Sequence, residues 1–162
     1  MKKALLFVIP MLLLAGCNGE DTSTSSSSSL PAPSSKIFES RFYKVGYTHK
    51  NDESGKAVKV YTINLNDGYI KLIEDGYKQY SKSGEVKYTY QNYYYVDNTF
   101  YIQPNTSHYY DAIFIKSDDI LVCELTQAGG SSGTTHAYDI YVTYKYADQN
   151  SYLIEGMTDT NN

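Results

Sequence analysis

The feature that most constrains the fold is a two-residue alternation of apolar and polar side chains, clearest in residues 137–146. Side chains two positions apart lie on the same face of a β-strand, so this period predicts a strand with one buried face. A helix would instead repeat every three to four residues. The expected buried side carries Tyr138, Ile140, Val142, Tyr144 and Tyr146, and the polar side carries Asp139, Tyr141, Thr143 and Lys145.

Residues 85–96 repeat this alternation, and short turn sequences rich in glycine, aspartate and asparagine separate the alternating segments. Turns of this kind indicate β-hairpins. Residues 36–42 are expected to make one helical turn before the first strand. In residues 85–96 the expected buried side carries Val86, Tyr88, Tyr90, Tyr94 and Val96. The other predicted strands are 41–48, 57–65, 69–74, 77–82, 99–103, 109–116, 120–127 and 151–155.

Strands joined mainly by hairpins predict an all-β domain, a single antiparallel meander of about 8–10 strands. Such a sheet hides its edges by closing into a barrel or by folding into a sandwich, and we favour the closed barrel. The chain has 19 tyrosines and no tryptophan. Tyrosine suits strands, where the ring packs against neighbours while the hydroxyl reaches water.

The hairpins of residues 77–125, with turns at 83–84, 97–98 and 118–119, resemble those of small lipocalin-like barrels. The resemblance implies an up-and-down barrel, a fold whose interior can hold a small ligand. The Gly-x-Trp signature of lipocalins is absent, because the chain contains no tryptophan.

The first sixteen residues have the organisation of an export signal. Lys2 and Lys3 give a positive start, and residues 4–14 form an apolar run interrupted only by Pro10. This run of 11 residues is much shorter than the roughly 20 that a helix needs to cross a bilayer. Residues 1–16 are therefore predicted to be a cleaved signal peptide and not a membrane span.

The sequence Leu14-Ala15-Gly16-Cys17 resembles the lipobox of bacterial lipoprotein precursors. The resemblance implies diacylglycerol on the Cys17 sulfur and cleavage just before it, so that the membrane is one partner of the mature chain. An ordinary signal peptide with a chance cysteine is the alternative. Asn18 follows where an aspartate often marks inner-membrane retention, which implies the outer membrane. The sequence leaves open whether the domain faces the periplasm or the exterior.

Residues 17–35 consist mainly of serine, threonine, proline and glycine. They lack apolar periodicity, so they are predicted to be a disordered tether. The eighteen residues 18–35 reach about 25 Å as a coil or roughly 55 Å when extended. Residues 36–158 are the predicted β domain, and residues 159–162 a disordered tail.

Charge and cysteine content exclude several classes of function. The net charge is −4, and removal of Lys2 and Lys3 leaves −6. Because nucleic-acid binding needs a positive surface, we expect no such role. Cys123 is the only cysteine in the predicted domain and alternates with Leu121 and Leu125. It is therefore expected to be a small buried apolar residue rather than a reactive thiol.

One catalytic pattern is present, because residues 129–133 satisfy G-x-S-x-G around Ser131 and His136 lies close by. A nucleophile elbow requires a helix after the serine, whereas a tyrosine-rich strand is predicted here. The glycines and serines are therefore interpreted as a hairpin loop. His49 and His108 lie far from His136 without the spacing of zinc ligands. We expect no cofactor or metal, and no enzymatic activity.

Aromatic side chains are the remaining candidates for recognition. Tyr93, Tyr95 and Tyr141 fall on the polar side of their predicted strands, so they are expected to face away from the core and form a binding face. Cross-strand pairing on an ordinary wet surface is the alternative. A one-residue bulge would exchange the two faces.

These patterns predict an outer-membrane lipoprotein with a non-catalytic β domain that binds a small apolar ligand, a glycan or an envelope protein. A second hypothesis is a structural or accessory subunit, or an inhibitor, in an envelope assembly. A third, an enzyme, requires a cleft that holds perturbed acids or brings His136 beside Ser131.

Overall fold

The computed structural model describes residues 32–129 and 133–156, which form eleven β-strands and two short α-helices. The predicted signal peptide, Cys17, most of the predicted tether, Ser131 and the predicted tail lie outside the described residues. The elements are α1 Ser35–Glu39, β1 Phe42–Asn51, β2 Ala57–Asn64, β3 Tyr69–Ile73, β4 Gly76–Tyr80, β5 Val86–Tyr90, β6 Tyr93–Val96, β7 Thr99–Ile102, β8 Ala112–Ser117, β9 Ile120–Gly129, β10 Gly133–Thr143, α2 Tyr144–Gln149 and β11 Leu153–Glu155, with a 3-10 turn at Leu65–Asp67.

The predicted all-β antiparallel class is confirmed. Nine strands lie side by side in the order β5-β4-β3-β1-β10-β9-β8-β7-β6, while β2 pairs with β1 and β11 pairs with β2. Two runs of hairpins therefore flank β1. In a simple meander β1 would pair only with β2, but here it also lies between β3 and β10. The prediction of a single meander is therefore wrong, because β1 has neighbours that do not follow it in sequence. In addition, β11 pairs with β2 in parallel.

Strand β1 belongs to two sheets. Its first residues pair with β10, and Phe42 also lies opposite Ile70 of β3. From Val45 onward β1 pairs with β2 instead. The β1–β2 hairpin thus leaves the main sheet as a ribbon with mostly exposed side chains. Phe42, at the junction, is fully buried.

The sheet curls but is not closed, so the structure does not support the predicted barrel. Its end strands, β5 and β6, are joined by residues 91–92 alone and do not pair with each other. Asn92 has a left-handed backbone with φ of 68°, which breaks the predicted strand 85–96 in two. The amide of Tyr93 instead donates to the carbonyl of Asp75, at 3.0 Å.

The main core lies inside the curl, with α1 packed against it. Its fully buried members include Phe42, Phe100 and Cys123. Leu125 packs at its edge, so the predicted apolar environment of Cys123 is confirmed. A smaller core is formed by Ile63 of β2, Val142 of β10 and Ala147 of α2, and Ile154 of β11 packs against it. Within the described residues, no helix has the length and apolarity needed to cross a bilayer.

The predicted buried faces are wrong in several places. Tyr138 is 57% exposed and Tyr94 is 49% exposed, and Val86, Tyr88 and Ile140 are exposed as well. The opposite face of β10, which carries Asp139 and Tyr141, points inward. Tyrosine occurs on both faces of these strands, so the alternation indicates a strand without indicating which side is buried.

Candidate binding cleft

A cleft of about 490 Å³ lies between the inner face of the sheet and the segment 103–111 that joins β7 to β8. Strands β1, β3, β4, β5 and β10 supply one wall, and segment 103–111 supplies the other. The cleft is lined by Lys44, Ile70, Tyr77, Gln79, Tyr88, Tyr90, Tyr109, Tyr110 and Tyr141.

Strand register brings the lining residues of the sheet together. Gln79 of β4 lies opposite both Ile70 of β3 and Tyr88 of β5. Lys44 of β1 lies opposite Tyr141 of β10. Directly opposed residues share a face of the sheet, so these positions form one continuous surface although they are up to 97 residues apart in sequence.

Tyrosine rings form most of the aromatic wall. Tyr77 stacks on Tyr90 with ring centroids 4.8 Å apart, and Tyr88 lies 6.1 Å from Tyr90. Tyr109 stands perpendicular to Tyr110 at 4.8 Å. Tyr88 and Tyr109 are 58% and 52% exposed, so the rim of the cleft presents two accessible aromatic rings.

The floor of the cleft is a polar network centred on Asp139. The Tyr110 hydroxyl donates to Asp139 Oδ2 at 2.7 Å, and Lys44 Nζ donates to the same oxygen at 2.7 Å. The Tyr141 and Tyr110 hydroxyl oxygens are 2.8 Å apart. Because the only hydroxyl proton of Tyr110 goes to Asp139, Tyr141 is the donor in this pair. A half-buried carboxylate is therefore paired by a cation and by a phenol.

Burial keeps the phenols of the site, and the Cys123 thiol in the core, in their neutral forms. It raises the pKa of Tyr110, and the adjacent Tyr141 raises it further. Burial likewise raises the pKa of Tyr77, Tyr141 and Cys123. Neutral phenols can donate and accept hydrogen bonds but are poor nucleophiles, so these groups suit recognition. The Tyr77 hydroxyl is buried without a hydrogen-bond partner among the described residues.

A charged clip holds the segment 103–111. His108 Nδ1 lies 2.6 Å from the Thr106 carbonyl oxygen, and Nε2 lies 2.8 Å from Asp111 Oδ1. Both partners only accept, so the protonated ring, with its two N–H groups, satisfies both contacts. Asp111 Oδ2 also accepts from the amide of Thr126 in β9. The clip therefore fastens the segment to the neighbouring strand.

Both groups of the clip have shifted pKa values. The Thr106 carbonyl, opposed by partial burial and assisted by Asp111, raises the pKa of His108. Partial burial works against the Asp111 carboxylate, but hydrogen bonds from Thr126 and His108 outweigh it and lower the pKa of Asp111.

The structure separates the three predicted binding tyrosines. The expectation that Tyr93 and Tyr141 face solvent is wrong, since they are only 4% and 7% exposed. The break at Asn92 and the inward face of β10 account for this. Tyr141 lies in the cleft, and Tyr93 supports it by donating from its hydroxyl to the Tyr110 carbonyl. Half-buried Tyr95 packs on Phe100 outside the cleft.

The remaining sequence candidates do not come together. His136 Nδ1 pairs with Glu124 Oε1 at 2.6 Å, while His49 packs against Tyr47. In the described parts of the chain, no group of three histidine, cysteine, aspartate or glutamate side chains could hold a metal. Strands flank the G-x-S-x-G sequence on both sides, as predicted for a hairpin, and Ser131 lies outside the described residues.

Sequence reasoning missed most of the cleft. Lys44, Gln79 and Tyr88 meet through strand pairings that no local pattern encodes. Tyr109 and Tyr110 were predicted to begin the strand 109–116, whereas in the structure they lie in a nine-residue connection between β7 and β8. Long ordered connections are often functional.

Comparison with protein-family models, with curated proteins and with solved structures gives no match for this chain. The function must therefore be inferred from the geometry of the cleft.

The clip predicts a characteristic pH dependence. His108 stabilises the fold below its ordinary pKa of about 6.5, and this contribution is lost as pH rises through its raised folded-state pKa. Asp111 stabilises the fold above its ordinary pKa of about 3.9, and that contribution is lost as pH falls through its lowered folded-state pKa. The clip should be strongest between roughly pH 4 and 6.5.

Replacing Asp111 by asparagine should lower the pKa of His108 while leaving it above its ordinary value, because the Thr106 carbonyl remains. An NMR titration of the imidazole ring would measure this. The control Glu53→Gln removes a charge from the distant turn at the end of the ribbon and should change nothing. An identical His108 pKa in the wild type and in Asp111→Asn would contradict the assignment.

Proposed function

We propose that this chain is a lipid-anchored envelope lipoprotein whose β domain is a non-catalytic binding module, with the tyrosine-lined cleft as its ligand site. The observation that supports this most is the cleft itself, of about 490 Å³, with two accessible rings over a polar floor. Small-molecule sites typically measure about 300–1,000 Å³ and place a few polar groups among aromatic ones.

A buried apolar ligand inside the sheet is disfavoured. Phe42, Phe100 and Tyr77 fill the interior, whereas a carrier of the lipocalin type needs a closed barrel around an empty cavity. The ligand is therefore placed in the open cleft.

The proposed anchor depends on Cys17 and the lipobox resemblance. The described chain enters the domain at α1, where Lys36 pairs with Asp118 in the β8–β9 turn at 3.5 Å. Strand β9 then runs ten residues away from that turn, a distance of about 33 Å. With lipid on Cys17, the end of β9 farthest from that turn would point away from the membrane. The domain would be held at the outer membrane, on its periplasmic or its exterior side.

One observation favours the accessory-subunit alternative. On the β1–β2 ribbon, Tyr47 is 60% exposed and Tyr61 is 46% exposed. Lys59 Nζ lies 4.0 Å from the Tyr47 ring centroid and 5.1 Å from that of Tyr61. An exposed aromatic surface of this kind suits a protein partner.

The anchor predicts that Cys17→Ser moves the protein from the membrane fraction to the soluble fraction and abolishes acyl labelling. Two or three acyl chains are needed for lasting attachment, and the thiol is the proposed site of the first. Cys123→Ser, at the other cysteine, is the matched control and should stay acylated. Undiminished labelling of Cys17→Ser would contradict the anchor.

Occupancy of the cleft can be tested without knowing the ligand. Iodination of tyrosines in intact envelopes, compared with protein purified in detergent, should show protection of Tyr88 and Tyr109 only in the envelope. Tyr138, which is similarly exposed but not part of the cleft, should react equally in both. Because Tyr88 and Tyr109 lie in one tryptic peptide, residues 88–116, tandem mass spectrometry that fragments this peptide assigns the iodine to each ring.

Two outcomes would contradict the proposed site. Equal reactivity of Tyr88 and Tyr109 in both preparations would mean that nothing occupies the cleft. Protection of Tyr47 and Tyr61 instead would favour the accessory role of the ribbon.

A further inference from the structure

We propose that the ligand of the cleft is a saccharide, bound with a sugar ring against the exposed tyrosines of the rim and its hydroxyls toward the polar floor. This inference rests on the proposed function, because it names the class of ligand for the same site.

The rim offers the apolar part of such a site. The rings of Tyr88 and Tyr109 are more than half exposed. Tyr109 is held by perpendicular packing on the buried Tyr110, with an interplanar angle of 84°. A sugar presents the C–H groups of its ring on a flat face. Contacts of that face with a rigid aromatic ring gain dispersion energy at low entropic cost.

The walls offer the polar part. Gln79 contributes an amide, Lys44 an ammonium group that is 51% exposed, and Tyr90 a phenol. An amide and a phenol each donate and accept, which matches hydroxyl groups that do the same. Five tyrosines besides Tyr109 line the cleft, and Ile70 is its only aliphatic residue.

This lining disfavours other ligand classes. A hydrocarbon would cover the Gln79 amide without giving it a hydrogen bond, which leaves a polar group unsatisfied. A cation would meet the Lys44 ammonium, which already neutralises Asp139 at 2.7 Å. An anion would find no free positive charge among the lining residues, because Lys44, the one lysine among them, is paired with that carboxylate. A neutral polyhydroxylated ligand avoids all three conflicts.

The test uses the full-length protein in a detergent without a sugar head group, since a maltoside would compete for the site. Ring-labelled tyrosines are followed by NMR during titration with neutral hexasaccharides of glucose, galactose and N-acetylglucosamine in both α and β linkage. At least one hexasaccharide should give saturable shifts confined to Tyr88, Tyr90 and Tyr109.

Variants then assign the contacts. Tyr109→Ala and, independently, Tyr88→Ala should each weaken the affinity about tenfold or more, while Tyr138→Ala should leave it unchanged. Gln79→Leu replaces the amide by an apolar side chain of similar size and should also weaken saccharide binding. If Gln79→Leu instead binds the hexasaccharide more tightly than the wild type does, the site is apolar and the proposal is overturned.

The outcomes separate this inference from the proposed function. If no hexasaccharide gives saturable shifts but iodination still shows protection of Tyr88 and Tyr109 in envelopes, the cleft binds another class of ligand and the saccharide proposal fails alone. If both experiments are negative, both proposals fail. Saccharide shifts confined to Tyr47 and Tyr61 would place binding on the ribbon and overturn the assignment to the cleft.

Discussion

The hydrogen bond from the Tyr110 hydroxyl to Asp139 is the contact on which the cleft depends. It fastens the segment 103–111 to β10, two strands away from β8, while Lys44 and Tyr141 complete the network. Without it, the segment would keep its backbone bonds, the His108 clip and the bond from the Tyr93 hydroxyl to the Tyr110 carbonyl, but would lose its direct bond to the Asp139 carboxylate. The wall that carries Tyr109 would then lose its position relative to the sheet.

Local patterns predicted the strands well, because alternation and turn residues act over a few positions. Every predicted strand has an observed counterpart, although residues 85–96 form two strands and residues 144–146 of the predicted strand 137–146 begin α2. The faces and the closure were not predictable in this way. Tyrosine on both sides of β10 made its faces look alike, and the left-handed Asn92 was not distinguishable from other turn residues. The central place of β1 depends on pairings between distant segments.

The site was predictable only in its chemistry. Tyrosine was taken as the residue type of interest, and Tyr141 does line the cleft. Tyr93 instead supports the cleft from behind and Tyr95 lies outside it, since one break in a strand reversed their expected orientation. Gln79 and Tyr88 become neighbours only through strand register. The role of Cys17 stays a prediction from the lipobox.

Hydrogen exchange of the full-length protein tests the central claim most directly. The amides of Ile102, Gln103 and Asp111 hold the ends of the segment through backbone bonds. Tyr110→Phe removes only the hydroxyl and should accelerate their exchange about tenfold, as expected for loss of about 1.4 kcal/mol. The neighbouring Tyr109→Phe is the matched control and should leave the rates unchanged. Equal rates in Tyr110→Phe and wild type would show that the bond to Asp139 does not position the wall of the cleft.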